Sequence, residues 1–232
     1  MAKSYLLFCF SLLLNFAASA QLEGTTESTF QLPTIQDGDY YREDQIYFNI
    51  SSIRINSIEN AFRQDGFSYS YAFGYIRDIP LNQRGSIALA VGLGYEFSRY
   101  QLKYFIDPLN ITLSENVSSA SNLTHALQVP FEFRFRTSTA TKYRFWRLYT
   151  GFTFSYGIAD KIKIKTAVDN FAKSNTDIMS KFQYGPHINV GYGFWNFYLY
   201  YGINNIFSDE MQAYQPVFDS TRLKLGFQLF VF

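Results

Sequence analysis

From Ser86 to Ser98 the chain alternates without a break: Ile87, Leu89, Val91, Leu93, Tyr95 and Phe97 are apolar, and the residues between them are small or polar. A period of two predicts a β-strand with one apolar face. The pattern recurs in Phe67–Tyr75, Leu127–Arg136, Gly151–Ile158, Phe182–Gly193, Phe197–Asn204 and Arg222–Val231. A weaker copy covers Ile46–Ile55, where the alternation slips near Ser51 and Ser52, as at a β-bulge. These are eight segments of about the ten residues a strand needs to cross a bilayer.

The sign of the alternation decides what lies on each side. The apolar sets carry almost no charge, whereas Glu96, Glu132, Arg134, Arg136 and Lys224 all fall on the opposite face. A soluble sandwich would turn those charges to water, and a barrel in lipid turns them to its lumen. The expected fold is therefore all-β, a transmembrane up-and-down antiparallel β-barrel of about eight strands. The links Asp78–Gly85, Thr137–Lys142 and Phe194–Asn196 are short, and those between them, notably Phe105–Asn122 and Asp160–Lys181, are long. Short periplasmic turns alternating with long extracellular loops place both termini in the periplasm. Trp146 and Trp195 then sit at the periplasmic rim as interface anchors.

The start of the chain fixes the compartment. Lys3, an apolar run from Tyr5 to Phe16 and the Ala18-Ser19-Ala20 cleavage signal predict a secretory signal peptide over residues 1–20. Residues 21–45 lack alternation and form a periplasmic leader, and residues 46–232 form the barrel. Aromatics reach 20%, with 25 Phe and 19 Tyr, while charged residues are only 17%, against roughly 25% in ordinary soluble domains. A net charge of +1 offers nucleic acid no electrostatic footprint. The one cysteine, Cys9, lies inside the signal peptide, so the mature chain has no disulfide, thiol catalysis or cysteine metal site. The two histidines, His125 and His187, are far apart, and no metal or cofactor is expected.

The lumen of an eight-stranded barrel is filled by its own side chains. Glu96, Glu132, Arg134, Arg136, His187 and Lys224 are therefore expected to form an internal charge network, since buried charges must pair. An esterase would need a serine, a histidine and an acid together. His125, with Ser118, Ser119, Ser121 and Glu115 upstream, has that composition but no hydrolase motif around it, so no catalytic residue is assigned. At the periplasmic end, Tyr41, Arg42, Arg77, Asp78 and Arg147 are candidate contacts for a protein partner.

Several strings exceed what alternation requires. Tyr41-Arg42-Glu43-Asp44-Gln45-Ile46-Tyr47, Gly74-Tyr75-Ile76-Arg77-Asp78-Ile79-Pro80-Leu81-Asn82 and Pro130-Phe131-Glu132-Phe133-Arg134-Phe135-Arg136-Thr137-Ser138-Thr139 resemble the PorT family of Bacteroidetes outer-membrane proteins, as do Phe145–Phe152 and Trp195–Tyr198. The resemblance implies a non-enzymatic accessory role in the type IX secretion system, with outer-membrane lipid and components of a secretion machinery as partners. The alternative is a small porin-like or ligand-binding barrel.

Overall fold

Lumen-facing and outward-facing residues alternate along each long strand, and the strands close on themselves. The computed structural model describes residues 44–57, 64, 66–82, 85–102, 117–137, 146–166, 170–174, 178–193, 195–214 and 220–231. Contacts divide the chain into residues 1–37 and 38–232, and everything described belongs to the second unit. The expected signal peptide and leader fall outside the described residues, except Asp44 and Gln45.

The strands are β1 (Gln45–Ser57), β2 (Ser68–Pro80), β3 (Ile87–Leu102), β4 (Val117–Arg136), β5 (Trp146–Thr166), β6 (Asn170–Ser174), β7 (Phe182–Tyr192), β8 (Trp195–Tyr201) and β9 (Ser220–Val231). A short helix, α1 (Asp209–Tyr214), precedes β9. Apart from β6, each strand pairs antiparallel with the next, and β9 returns to β1 from Ile46↔Val231 to Ser57↔Ser220. The result is a closed eight-stranded up-and-down barrel. β6 is an extra strand folded back on the end of β5, Lys161↔Ser174 to Lys165↔Asn170. The short connections β2–β3, β4–β5 and β7–β8 share one end of the barrel with the start of β1 and the end of β9. Phe48, Ile50, Phe73, Leu93, Phe131, Tyr156 and Phe227 are among the exposed apolar side chains that girdle its outer wall. Such a continuous apolar surface suits lipid, not water.

The structure corrects the expected strand limits. β1 has no bulge near Ser51, because its register to β2 and β9 is unbroken. What changes there is the chemistry of the two faces: Ile53 is buried in the lumen and Arg54 is exposed. Residues 117–122 and 160–166, expected in loops, belong to β4 and β5. Asp78, Ile79 and Pro80, expected in a turn, complete β2.

The real bulge lies between β4 and β5. Ala126 pairs with Gly157 and His125 with Ala159, which leaves Ile158 without an opposite residue. One extra residue reverses the faces of the strand that follows. Tyr156 and Ile158 point outward, and beyond the bulge Lys161, Lys163 and Lys165 are exposed while Ile162 and Ile164 are buried. This end of the barrel is ordered as a soluble protein is, with aliphatics inside and charges outside. Ile162 and Ile164 join Ile53, Tyr100, Ala120, Ile178, Met179, Ile206 and Phe207 in an apolar cap over the lumen.

Candidate functional site

The lumen below that cap holds two ionic clusters, and the strand sequences explain how each assembles. On β3 the lumenal positions Ala88, Ala90, Gly92 and Gly94 are all small. Asp78 on β2 and Glu132 on β4 lie level with Ala90 on either side of it, so side chains from β2 and β4 can meet over β3. The same gap receives an aromatic: Tyr47 lies across Gly74 and Gly94, where a β-carbon would collide with its ring or hydroxyl.

The first cluster lies nearer the short turns. Asp78 accepts hydrogen bonds from both Arg134 and Arg136, whose alternate positions on β4 put them on one face. Arg134 Nε also donates to Glu132 Oε2 at 2.7 Å, and its guanidinium carbon lies 4.5 Å from the centre of the Tyr149 ring. Glu132 Oε1 is 3.3 Å from His187 Nε2, and His187 Nδ1 is 2.9 Å from the Thr153 hydroxyl. Two arginines carry the cluster to the turns: Arg136 Nε donates to the Gly85 carbonyl and Arg147 Nη1 to the Gly193 carbonyl, each at 2.6 Å. Both glycines have positive φ, 63° and 60°, a conformation that L-residues with a β-carbon adopt at a cost.

The second cluster lies nearer the cap. Lys224 Nζ bonds both oxygens of Glu96, which also accept from Gln128 and, at 2.6 Å, from the Ser98 hydroxyl. Arg222 Nη1 donates to the Tyr100 hydroxyl at 2.9 Å and reaches Glu96 Oε1 at 3.5 Å. All the carboxylates and cations of the two clusters are buried. Charges this far from water must be paired, and each carboxylate is.

The six residues expected in a lumenal network, Glu96, Glu132, Arg134, Arg136, His187 and Lys224, are thus all placed in the lumen, shared between two clusters. Sequence reasoning left out Asp78, Arg147 and Arg222. Arg222 could have been found, since it stands two positions before Lys224 on the same face. Asp78 continues the even-numbered lumenal series Ala72, Gly74 and Ile76, a signal masked by assigning it to a turn.

The set of candidate partner contacts is corrected accordingly. Asp78 and Arg147 are only 2% and 3% exposed, because strand parity turns both inward to pair or reach a carbonyl, so neither presents its side chain to a partner. Arg77 is exposed on the outer wall, and Tyr41 and Arg42 lie outside the described residues. Trp146 and Trp195, 62% and 69% exposed, stand on the outer face beside the short β7–β8 turn. Their indoles lie 5.3 Å from Tyr192 and 6.0 Å from Phe227 respectively. His125 does not belong to the lumenal clusters: its Nδ1 is hydrogen-bonded to the Tyr95 hydroxyl and its ring is 5.3 Å from Phe97.

A closed meander with a lipid-suited wall and a charged lumen agrees with what sequence comparison finds. Residues 36–208 match the family described as outer membrane protein beta-barrel domain. The chain belongs to that family. It is accordingly an outer-membrane protein, and the match runs through β8 while closure depends on β9 beyond it. No curated protein matches the chain. Among solved structures it is similar to Ail, the attachment invasion locus protein of Yersinia pestis, at 12% identity, with 80% of this chain and 97% of that one covered and a TM-score of 0.32. The same protein in complex with the heparin analogue sucrose octasulfate gives 12% identity, 81% and 99% coverage and a TM-score of 0.36.

Proposed function

We propose that this outer-membrane barrel is a non-enzymatic accessory component of protein secretion of the type IX kind, working through the end that bears the short turns. On this reading that end, and with it both termini, faces the periplasm. The observation that carries it is the filled lumen. From Tyr149 and Phe230 through Asp78, Arg134, Glu96 and Lys224, buried side chains occupy the interior, and the apolar cap covers the far end. A barrel plugged in this way passes no protein cargo through its lumen and meets a secretion machinery through its surfaces. The strings that resemble the PorT family supply Asp78, Glu132, Arg134 and Arg136, the residues that brace the short-turn end from inside. Arg77, Ile79 and Leu81 are exposed there as partner-facing side chains.

A strain lacking the protein should lose surface display of secreted cargo and regain it on complementation. Arg77→Glu should insert normally yet recover fewer crosslinked partners from outer membranes. Normal secretion in the deletion strain would end this reading. The alternative, a porin-like barrel, predicts stepwise conductance in planar bilayers. The paired charges across the lumen favour silence, and reproducible conductance steps from the purified protein would favour the porin.

A further inference from the structure

Between the second ionic cluster and the apolar cap the lumen widens into a chamber of about 310 Å³. That volume is at the lower end of the ~300–1,000 Å³ usual for small-molecule sites. One wall is the bulged stretch of β5 from Gly157 to Asp160, and Met179 and Ile206 of the cap belong to the lining.

Four buried polar atoms without a hydrogen-bond partner belong to residues lining this chamber: Nε and Nη2 of Arg222, the Ser155 hydroxyl and Oε1 of Gln183. Other such atoms lie elsewhere in the barrel, but these four belong to residues that line a cavity large enough to hold a partner for them. Ser155 and Gln183 are directly paired across β5 and β7. Gln183 uses its amide nitrogen on the Asn205 carbonyl at 2.9 Å, which leaves its oxygen over. Arg222 uses Nη1 on Tyr100 and Glu96. Tyr200 is close enough to interact with this guanidinium, whose carbon is 5.2 Å from its ring centre, but it completes no hydrogen bond with Nε or Nη2. Those two groups form the parallel N–H fork that receives a carboxylate in bidentate fashion.

Charge and shape narrow the ligand. Arg222 and Lys224 face the carboxylate of Glu96, and Asp160 and Lys181 in the lining offset each other, leaving one positive charge that a monoanion would neutralise and a dianion would exceed. Ala126, Met179 and Ile206 offer aliphatic surface to the rest of the molecule. We infer that the chamber is a binding site for a small amphipathic carboxylate, its carboxylate on the Arg222 fork and its apolar body toward the cap.

The test uses the full barrel in nanodiscs with radiolabelled octanoate, kept below micellar concentration, and octanol as the uncharged counterpart. Saturable octanoate binding is expected, about ten-fold or more tighter than octanol, as loss of a charged hydrogen-bonding partner implies. Arg222→Gln should weaken it by a similar factor. Because Arg222 also contributes to the plug, Ala126→Phe provides a second variant: it fills the chamber and leaves every charge in place. Both are compared as folded barrels, judged by migration of unheated samples in detergent gels. Uptake that does not saturate, equal affinity for octanol, or binding unchanged in folded Ala126→Phe would each overturn the proposal.

Discussion

Asp78 shows how much a single lumenal residue can govern. Its carboxylate accepts from both Arg134 and Arg136, and all three side chains are fully buried. Removing one partner from such a group strands the others in a medium that solvates them poorly. Asp78→Ala should therefore cost about 3–5 kcal/mol, read as a shift in the urea unfolding curve followed by the fluorescence of Trp146 and Trp195. Asp78→Asn keeps an acceptor for one arginine and should lose less. If the two variants unfold alike and close to wild type, the triad is not a brace. Glu132→Gln should be felt differently, since Arg134 retains Asp78 while His187 retains only Thr153.

At the scale of elements, the governing feature is the extra residue in β5. Deleting Ile158 alone would remove the bulge and leave every later side chain on its present face, since His125 already pairs with Ala159. Deleting Ile158 and Ala159 together would turn Ile162 and Ile164 outward and Lys161, Lys163 and Lys165 toward the cap. Two isoleucines at roughly 1.5–3 kcal/mol each give an expected loss of about 3–6 kcal/mol. Deleting Ile158 alone should escape most of it. A trypsin assay at the lysines, alongside unfolding, would show whether the cap alone or the whole barrel has loosened. The same bulge explains what the sequence left illegible. Within the lipid-suited band, apolar-out alternation located all eight barrel strands, because one rule holds along each of them. At Ile53 and after Ile158 the chain enters a region where the inside is aliphatic and the outside charged, so continuing strands read as a slip or a loop. The lumenal network was legible where a charge stood inside an assigned strand, with the exception of Arg222 at the first position of the last one. Asp78 and Arg147 were missed because both lie at strand ends, where parity still holds but a turn had been assumed.

On the scale of the whole molecule, the asymmetry between the two ends bears on orientation. At the end with the termini, short connections are tied from within by Arg136 and Arg147, and Trp146 and Trp195 stand on the outer rim. The other end rises above the apolar girdle on β4, β5 and β6 and closes over an aliphatic cap. Outer-membrane barrels keep their short turns periplasmic and their longer loops extracellular. If that holds here, the Lys161–Lys165 row faces the medium. The chain's single cysteine, Cys9, lies in the expected signal peptide, so single-cysteine variants of the mature protein report one site each. Lys163→Cys should react with a membrane-impermeant maleimide on intact cells. Leu81→Cys, exposed beside the β2–β3 turn, should react only after the outer membrane is permeabilised. The reverse pattern would invert the barrel and move the proposed partner-facing end to the cell surface, where it could not meet a periplasmic secretion machinery.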